Sequence, residues 1–178
     1  RTGDAQPGIR PGEIQLQTES LFQGYWGNEG FSRSAISAEG WYSTGDYGFL
    51  HEGQLYVIGR LKDIIIVGGQ NVFPEDVETI VNSLNEVYTG RTVAFAITNE
   101  SLGTESLCIV AEMRGEYEIS RANMLERQIK QSILAGIGIA PRFASVVPER
   151  WIVKSTAGKI SRRETRQKFL KEKLAPKK

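Results

Sequence analysis

The sequence predicts an α+β protein, in which a β-rich first part precedes a small domain with a short sheet covered by helices. Three observations support this fold class. Up to about residue 58, short apolar runs alternate with turn residues, whereas from Ile64 onward strand-like runs alternate with amphipathic helices. A hydrophobic share of 40% is also enough for a core. The charged residues Lys62 and Asp63 separate the two patterns, so we expect domains at residues 1–61 and 62–178.

The first part has the composition of short strands joined by turns. We expect strands at residues 13–17, 21–26, 40–43 and 54–58, the last of them after the turn His51-Glu52-Gly53. This is too little β-structure to be a stable unit alone.

The second part opens with a strand from Ile64 and a pair of glycines, Gly68 and Gly69, which favour a positive-φ turn leading into a helix. Pro74 suits the first position of that helix. Four apolar residues then follow with helical spacing: Val77, Ile80, Val81 and Leu84.

The remaining elements alternate in the same way. We expect strands at residues 92–98, 106–113 and 143–147, and a helix at 120–134 with Leu125, Ile129 and Ile133 on one stripe. The last helix starts at Ser161, because Ser161 and Glu164 have the spacing of a capping box. Phe169 is its main apolar anchor.

Cysteine, histidine and apolar residues restrict the function classes. Cys108 is the only cysteine, which excludes an internal disulfide, and with His51 as the only histidine a zinc or other soft-metal site lacks ligands. Cys108 lies in an apolar run, so we expect a buried core residue rather than a nucleophile. The sequence has no membrane-length apolar run and no signal-peptide pattern, and we expect a cytoplasmic protein.

Charge is distributed unevenly along the chain. Residues 1–149 contain 11 Lys and Arg against 19 Asp and Glu, a net charge of −8, and residues 150–178 contain 11 against 2, a net charge of +9. The basic end indicates either an anionic partner or a solvated helix. Nucleic-acid binding is not expected, because from Lys154 to Lys178 the only aromatic residue among these charges is Phe169, which is needed for packing.

Two side chains of the first part are candidates for nucleotide binding. Asp46 follows a Thr-Gly turn, and a carboxylate in such a position can bind both hydroxyls of a ribose or can cap Gly48 in an Asx turn. Arg60 lies 14 positions further on, where its guanidinium can bind a ribose or phosphate or can pair with Asp63 on the surface.

A lysine near the carboxyl end is the catalytic candidate. Lys159 lies in a loop of small residues directly before the helix that starts at Ser161, so its ammonium and the positive end of that helix can address one anion. The alternative is an ordinary solvated loop lysine.

Three blocks of the sequence, in this order, resemble the last three signature blocks of the acyl-adenylate-forming ligases, which include acyl-CoA synthetases, fatty acyl-AMP ligases and peptide-synthetase adenylation domains. The blocks are Tyr42-Ser43-Thr44-Gly45-Asp46, Gly59-Arg60-Leu61-Lys62-Asp63 with Asn71-Val72-Phe73-Pro74-Glu75-Asp76, and Ala157-Gly158-Lys159-Ile160-Ser161-Arg162. Two upstream segments, Gly12-Glu13-Ile14-Gln15-Leu16 and Gly24-Tyr25-Trp26, extend the resemblance to nearly the whole chain. Val153-Lys154 replaces the Pro-Lys that often precedes the last block.

The resemblance implies roles for individual residues. Asp46 and Arg60 would hold the ribose of ATP, and Lys159 would bridge the substrate carboxylate and the α-phosphate. Lys62, with Asp63 beside it, would be the hinge between the large domain and the mobile lid. The acceptor thiol would approach a channel lined by Gly69, Gln70 and Asn71.

The implied activity is an ATP- and Mg²⁺-dependent ligation of a carboxylic acid to coenzyme A or to the phosphopantetheine of an acyl carrier protein. The implied acid is a fatty acid. The family's phosphate loop and acyl pocket belong to the large domain, so we expect a carboxy-terminal fragment that is inert alone and does not specify the acyl group. Arg162 and Arg163 would steer the anionic acceptor. A non-catalytic nucleotide-sensing or scaffold domain with the same fold is the alternative.

Overall fold

The computed structural model describes residues 10–99 and 103–174, which divide into two units between Ile64 and Ile65. Of the two expected domains, residues 1–9 of the first and residues 100–102 and 175–178 of the second lie outside this described part. The fold is of mixed helix and sheet, as the sequence predicts, and the expected boundary at residues 61 and 62 stays a prediction.

The first unit is a three-stranded antiparallel sheet with one short helix. Its elements are β1 (Gly12–Leu16), α1 (Glu29–Ala35), β2 (Tyr42–His51) and β3 (Gln54–Arg60), followed by a 3₁₀ turn (Leu61–Asp63). The sheet order is β1-β2-β3. The turn between β2 and β3 has positive φ at Glu52 and Gly53, which is the geometry of a tight hairpin and matches the expected turn.

Two features of the first unit differ from the expected run of strands. Residues 21–26 form no strand, and helix α1 was not expected. Aromatic residues of this segment pack edge to face instead, since the centre of the Tyr25 ring lies 5.0 Å from that of Phe22 and 4.8 Å from that of Phe31. The side chain of Asn28 caps α1 by accepting a hydrogen bond from the Phe31 N–H, at 3.1 Å.

The second unit has three layers, in which a central sheet lies between two layers of helix. Its elements are β4 (Ile65–Val67), β5 (Gln70–Val72), α2 (Pro74–Asn82), β6 (Val87–Asn99), β7 (Thr104–Met113), α3 (Ile119–Ile137), β8 (Phe143–Val147) and α4 (Arg162–Phe169), which a π-helical turn (Leu170–Leu174) continues. The central sheet has the order β6-β7-β8, with β7 antiparallel to β6 and parallel to β8, and β4 and β5 form a separate hairpin.

Alternation along β6 and β7 divides the core into two clusters, one on each face of the sheet. Helices α2 and α3 cover one face, where Leu125, Ile129 and Ile133 are all buried as their spacing predicts. The other face packs against α4, where Phe169 is 1% exposed and contacts the rings of Phe95 and Phe143 edge to face. The expectation that helices cover a short sheet is therefore confirmed.

The glycine pair of the second unit has a different place from the expected one. Gly68 and Gly69 have φ of +55° and +83°, so the positive-φ turn is confirmed, but it joins β4 to β5 rather than a strand to a helix. A two-residue turn with both φ positive matches the twist of two antiparallel strands, which explains why a second strand follows. Pro74 then opens α2 as expected.

None of the described helices combines the length and the apolar composition that crossing a membrane requires.

Candidate functional site

The first unit brings Asp46 and Arg60 together as cross-strand partners on β2 and β3. Arg60 Nε lies 3.1 Å from Oδ1 of Asp46, and the Arg60 side chain is 55% exposed. The structure thus favours an exposed ion pair over the Asx turn for the carboxylate. A partly exposed pair of this kind contributes little to stability, so a ligand that replaces it loses little.

A bulge in β2 presents Asp46. Three residues, Thr44 to Asp46, lie opposite Ile14 of β1, because the register shifts between Glu13 and Gln15. The Thr44 hydroxyl fixes the bulge by donating to the Ile14 carbonyl at 2.8 Å and accepting from the Asp46 N–H at 3.0 Å. The expected Thr-Gly turn at a strand end is therefore a bulge within a strand, a feature that often re-aims a side chain beside a site.

Lys62 and Asp63 lie on the 3₁₀ turn that ends the first unit, and the Lys62 side chain is exposed. The division between the units follows Ile64, so both residues lie within two positions of it. Their role as a hinge stays a prediction.

The acceptor candidates occupy the tip of the β4–β5 hairpin. Gly69, Gln70 and Asn71 are all exposed there. Two side chains at the start of β7 hold the outer edge of β4. Glu105 accepts a hydrogen bond from the Ile66 N–H at 2.7 Å, and the Thr104 hydroxyl accepts from the Gly68 N–H and donates to the Ile66 carbonyl, each at 3.1 Å. Sequence analysis did not find these two residues.

Lys159 lies on a second, smaller hairpin of the second unit. Lys154 and Ile160 form an antiparallel bridge, and the Ser155 N–H donates to the Lys159 carbonyl at 2.7 Å. Gly158, with φ of +76°, supplies the turn. The Lys159 side chain is exposed and forms no hydrogen bond or ion pair with the residues that the structure describes. Its ammonium is thus free to meet an anion.

Helix α4 starts at Arg162, three residues beyond Lys159. Ser161 caps it by accepting from the Glu164 N–H at 3.4 Å, so the expected start of the helix is confirmed. The second half of the capping box does not form, because the Ser161 N–H donates to the Val153 carbonyl at 2.9 Å. That bond closes the base of the Lys159 hairpin.

Basic residues of α4 cover the free edge of β6. Arg162 donates to the Ala94 carbonyl at 2.9 Å and Arg166 to the Ala96 carbonyl at 2.8 Å. Glu78 of α2 accepts from the Ala94 N–H at 2.9 Å and also pairs with Arg162. Burial raises the pKa of the Glu78 carboxyl more than the Arg162 guanidinium lowers it. The Arg162 side chain is only 22% exposed, so its surroundings favour a structural role over acceptor steering.

Among the residues at 10–99 and 103–174, Cys108 and the acidic side chains offer no further reactive centre. Cys108 is fully buried as expected, and burial raises the pKa of its thiol to about 12. Within the described residues, no three His, Cys, Asp or Glu side chains are grouped so as to hold a metal ion.

Comparison with known proteins shows which proteins the chain is similar to. No family model matches the chain. A protein of Mycobacterium tuberculosis that bears the name of a ligase is 34% identical to it, over 90% of this chain and 29% of that protein. A protein of the same organism that bears the name of a fatty-acid–CoA ligase is 30% identical, over 90% and 30%. The chain thus spans about three tenths of the length of these relatives.

A solved structure supports the similarity to ligases that these two sequence relatives show. The A-PCP structure of McyG complexed with phenylalanyl-adenylate superposes with a TM-score of 0.82 at 29% identity, covering 93% of this chain and 30% of that one. The chain is a homologue of the acyl-adenylate-forming ligases. The expected resemblance of the chain to acyl-adenylate-forming ligases is therefore confirmed, while the roles of single residues stay predictions.

Proposed function

We propose that this chain is the carboxy-terminal part of an ATP-dependent acid:thiol ligase, containing the lid and the last β elements of the large domain. The complete protein activates a carboxylic acid of the fatty-acid type as an acyl-adenylate, with release of pyrophosphate. It then passes the acyl group to coenzyme A or to the phosphopantetheine of a carrier protein. The observation that carries the proposal is the exposed ammonium of Lys159, held on a hairpin directly before a capped helix in a homologue of adenylating ligases.

The chemistry of the first half-reaction requires such a charge. A carboxylate attacks an α-phosphate that is already negative, so their repulsion has to be neutralised in the transition state. The Lys159 ammonium supplies a fixed positive charge on a long side chain, and the amino end of α4 adds a partial positive charge nearby.

Asp46 and Arg60 would bind the nucleotide. The Asp46 carboxylate can accept hydrogen bonds from ribose hydroxyls, and the Arg60 guanidinium can donate to a ribose or phosphate oxygen. Their mutual pairing at 3.1 Å holds both groups in one place before the ligand arrives. Mg²⁺ would enter with ATP and be bound mainly by the large domain.

The second half-reaction would follow a rotation of the lid about Lys62 and Asp63. The tip of the β4–β5 hairpin, with Gly69, Gln70 and Asn71, would then line the approach of the acceptor thiol. The exposure of all three residues supports this assignment. Of the two arginines expected to steer the acceptor, Arg163 is exposed and Arg162 is engaged at the edge of β6.

The deciding experiment is ATP–pyrophosphate exchange by the complete ligase, using a panel of carboxylic acids. We expect Lys159→Ala to lower the exchange rate about a hundredfold or more, as loss of a group that stabilises developing charge does. Lys154→Ala is the matched control, because Lys154 is an exposed lysine on the opposite strand of the same hairpin. Unaltered exchange in Lys159→Ala would refute the proposal. Nucleotide binding without any exchange in the wild-type protein would favour the non-catalytic alternative.

A further inference from the structure

Two buried side chains hold the base of the Lys159 hairpin at neighbouring backbone positions. Glu112 accepts a hydrogen bond from the Ile152 N–H at 2.8 Å. The Thr165 hydroxyl accepts from the Val153 N–H at 3.2 Å. Glu112 is 1% exposed and Thr165 is fully buried.

Glu112 is unusual in its surroundings. It interrupts an otherwise apolar, buried stretch of β7 from Leu107 to Met113. A buried carboxylate is costly unless it is hydrogen-bonded and paired. Here one oxygen binds the Ile152 N–H and the other lies 3.8 Å from Nη1 of Arg91.

A bulge in the neighbouring strand brings Arg91 to this carboxylate. Residues 88–91 of β6 lie opposite Glu112, because the register shifts between Val87 and Thr92. The Gly90 N–H donates to the Asn82 side chain at 3.0 Å, which ties the bulge to the end of α2. The structure therefore provides Glu112 with a cation as well as a donor.

From this base, backbone contacts continue to Lys159. The Val153 carbonyl accepts from the Ser161 N–H at 2.9 Å, Lys154 pairs with Ile160, and the Ser155 N–H donates to the Lys159 carbonyl at 2.7 Å. Each step joins the two strands of the hairpin, so a shift at Ile152 is passed along the ladder to the backbone of Lys159.

We propose that Glu112 is a positioning residue for Lys159, and that Thr165 supports it from α4. Glu112 does not touch the substrate; it fixes the base of the hairpin so that the ammonium is delivered to one place. The proposal rests on the proposed function, because it assumes that Lys159 acts in adenylation. A misplacement of about 1 Å at a reacting group can cost about a hundredfold in rate, so a contact at the base matters for the tip.

Kinetic comparison of two variants tests the proposal in the complete ligase. Glu112→Met removes the acceptor at similar volume, and Glu112→Gln keeps an oxygen for the Ile152 N–H. We expect Glu112→Met to lower kcat of pyrophosphate exchange at least tenfold with KM for ATP changed less than threefold. We expect Glu112→Gln to recover most of the rate. Acyl transfer from supplied acyl-adenylate should fall less than threefold in both.

Glu126→Met is the matched control. Glu126 also holds a backbone N–H, at 3.0 Å, but it belongs to α3 and the N–H is that of Val146 in β8, outside the hairpin. We expect its exchange rate to stay within threefold of wild type. An equal loss in Glu126→Met and Glu112→Met would show general destabilisation and overturn the proposal.

Thr165→Val and Thr165→Ser provide a second test that does not depend on the folding of Glu112→Met. We expect Thr165→Val to lower the exchange rate at least fivefold, and Thr165→Ser, which keeps the hydroxyl, to recover it. Equal rates in the two variants would overturn the contribution of Thr165.

Hydrogen exchange of the Ser155 amide is independent of activity. We expect it to be at least tenfold faster in Glu112→Met than in wild type, because the ladder opens at its base; an unchanged rate would overturn the positioning of Lys159 by Glu112. Faster amide exchange combined with full activity of Lys159→Ala would instead refute the proposed function, which separates the two failures.

Discussion

Arg162 donates a hydrogen bond of 2.9 Å to the carbonyl oxygen of Ala94, and in doing so it binds helix α4 to the free edge of β6. An unpaired strand edge exposes backbone donors and acceptors that other chains can bind. Here Arg162, Arg166 and Glu78 bind those groups from two helices. Three charged residues of the second unit therefore have a structural use.

The first prediction concerns this contact. Arg162→Met would leave Glu78 without its cation and the Ala94 carbonyl without this donor. We expect the free energy of unfolding to fall by about 2 kcal/mol, less than for a fully buried pair because Arg162 is partly exposed. Urea denaturation measures the change. Arg163→Met, at an exposed position of the same helix, should stay within about 0.5 kcal/mol. Equal stability of the two variants would contradict the structural role.

The second prediction concerns nucleotide binding. Asp46→Asn keeps the size of the side chain but removes the charge that faces Arg60. If this carboxylate accepts hydrogen bonds from the ribose, KM for ATP should rise about tenfold, as expected for loss of a hydrogen bond to a charged group. Glu29→Gln, at an exposed acidic residue of α1, is the control. The same KM in Asp46→Asn and wild type would exclude the ribose role.

The third prediction concerns the turn between β4 and β5. Gly69 has φ of +83°, and a Cβ added there would meet no atom within 4 Å, so Gly69→Ala is strained only through the backbone, by about 1 kcal/mol. We expect the acceptor KM to rise several-fold while pyrophosphate exchange changes less. Gly12→Ala, where φ is not positive and space is also open, is the control. A larger effect on exchange than on transfer would contradict the acceptor assignment.

The fourth prediction uses the pKa of Cys108. In the folded protein the thiol has a pKa of about 12, raised by burial from 9.0. As pH rises above 9, the unfolded chain loses the proton first, so stability falls with pH by up to about 1.4 kcal/mol per pH unit until the folded pKa is reached. Cys108→Ala should lack this component between pH 9 and 11. If the free energies of unfolding of wild type and Cys108→Ala change in parallel with pH, the thiol titrates normally.

Much of the fold could be predicted because its signals are local. The strand at residues 143–147, the apolar stripe of α3 and the start of α4 at Ser161 follow from periodicity and capping, which a few neighbouring residues determine. The errors have a local cause as well. Aromatic residues before α1 have high strand propensity, and glycines inside β2 have the composition of a turn, yet packing and bulges decide otherwise.

The candidate site shows the same division. Lys159, Asp46 and Arg60 were found because they stand in recognisable sequence blocks. Glu112, Thr165, Thr104 and Glu105 were missed, because each acts on a backbone group 12 to 40 positions away. One signal was present in the sequence: a single glutamate in an otherwise apolar strand is costly to bury, and it indicates a specific partner.

By itself, the sequence determined the order of the elements from Pro74 onward and the positions of the three signature blocks, since these depend on residue spacing. Only the tertiary structure decided that Arg162 covers a strand edge, that Gly68 and Gly69 join two strands, and that a buried glutamate holds the base of the Lys159 hairpin. The physical reason is that hydrogen bonds and ion pairs form between residues close in space, and folding alone brings distant parts of the chain together.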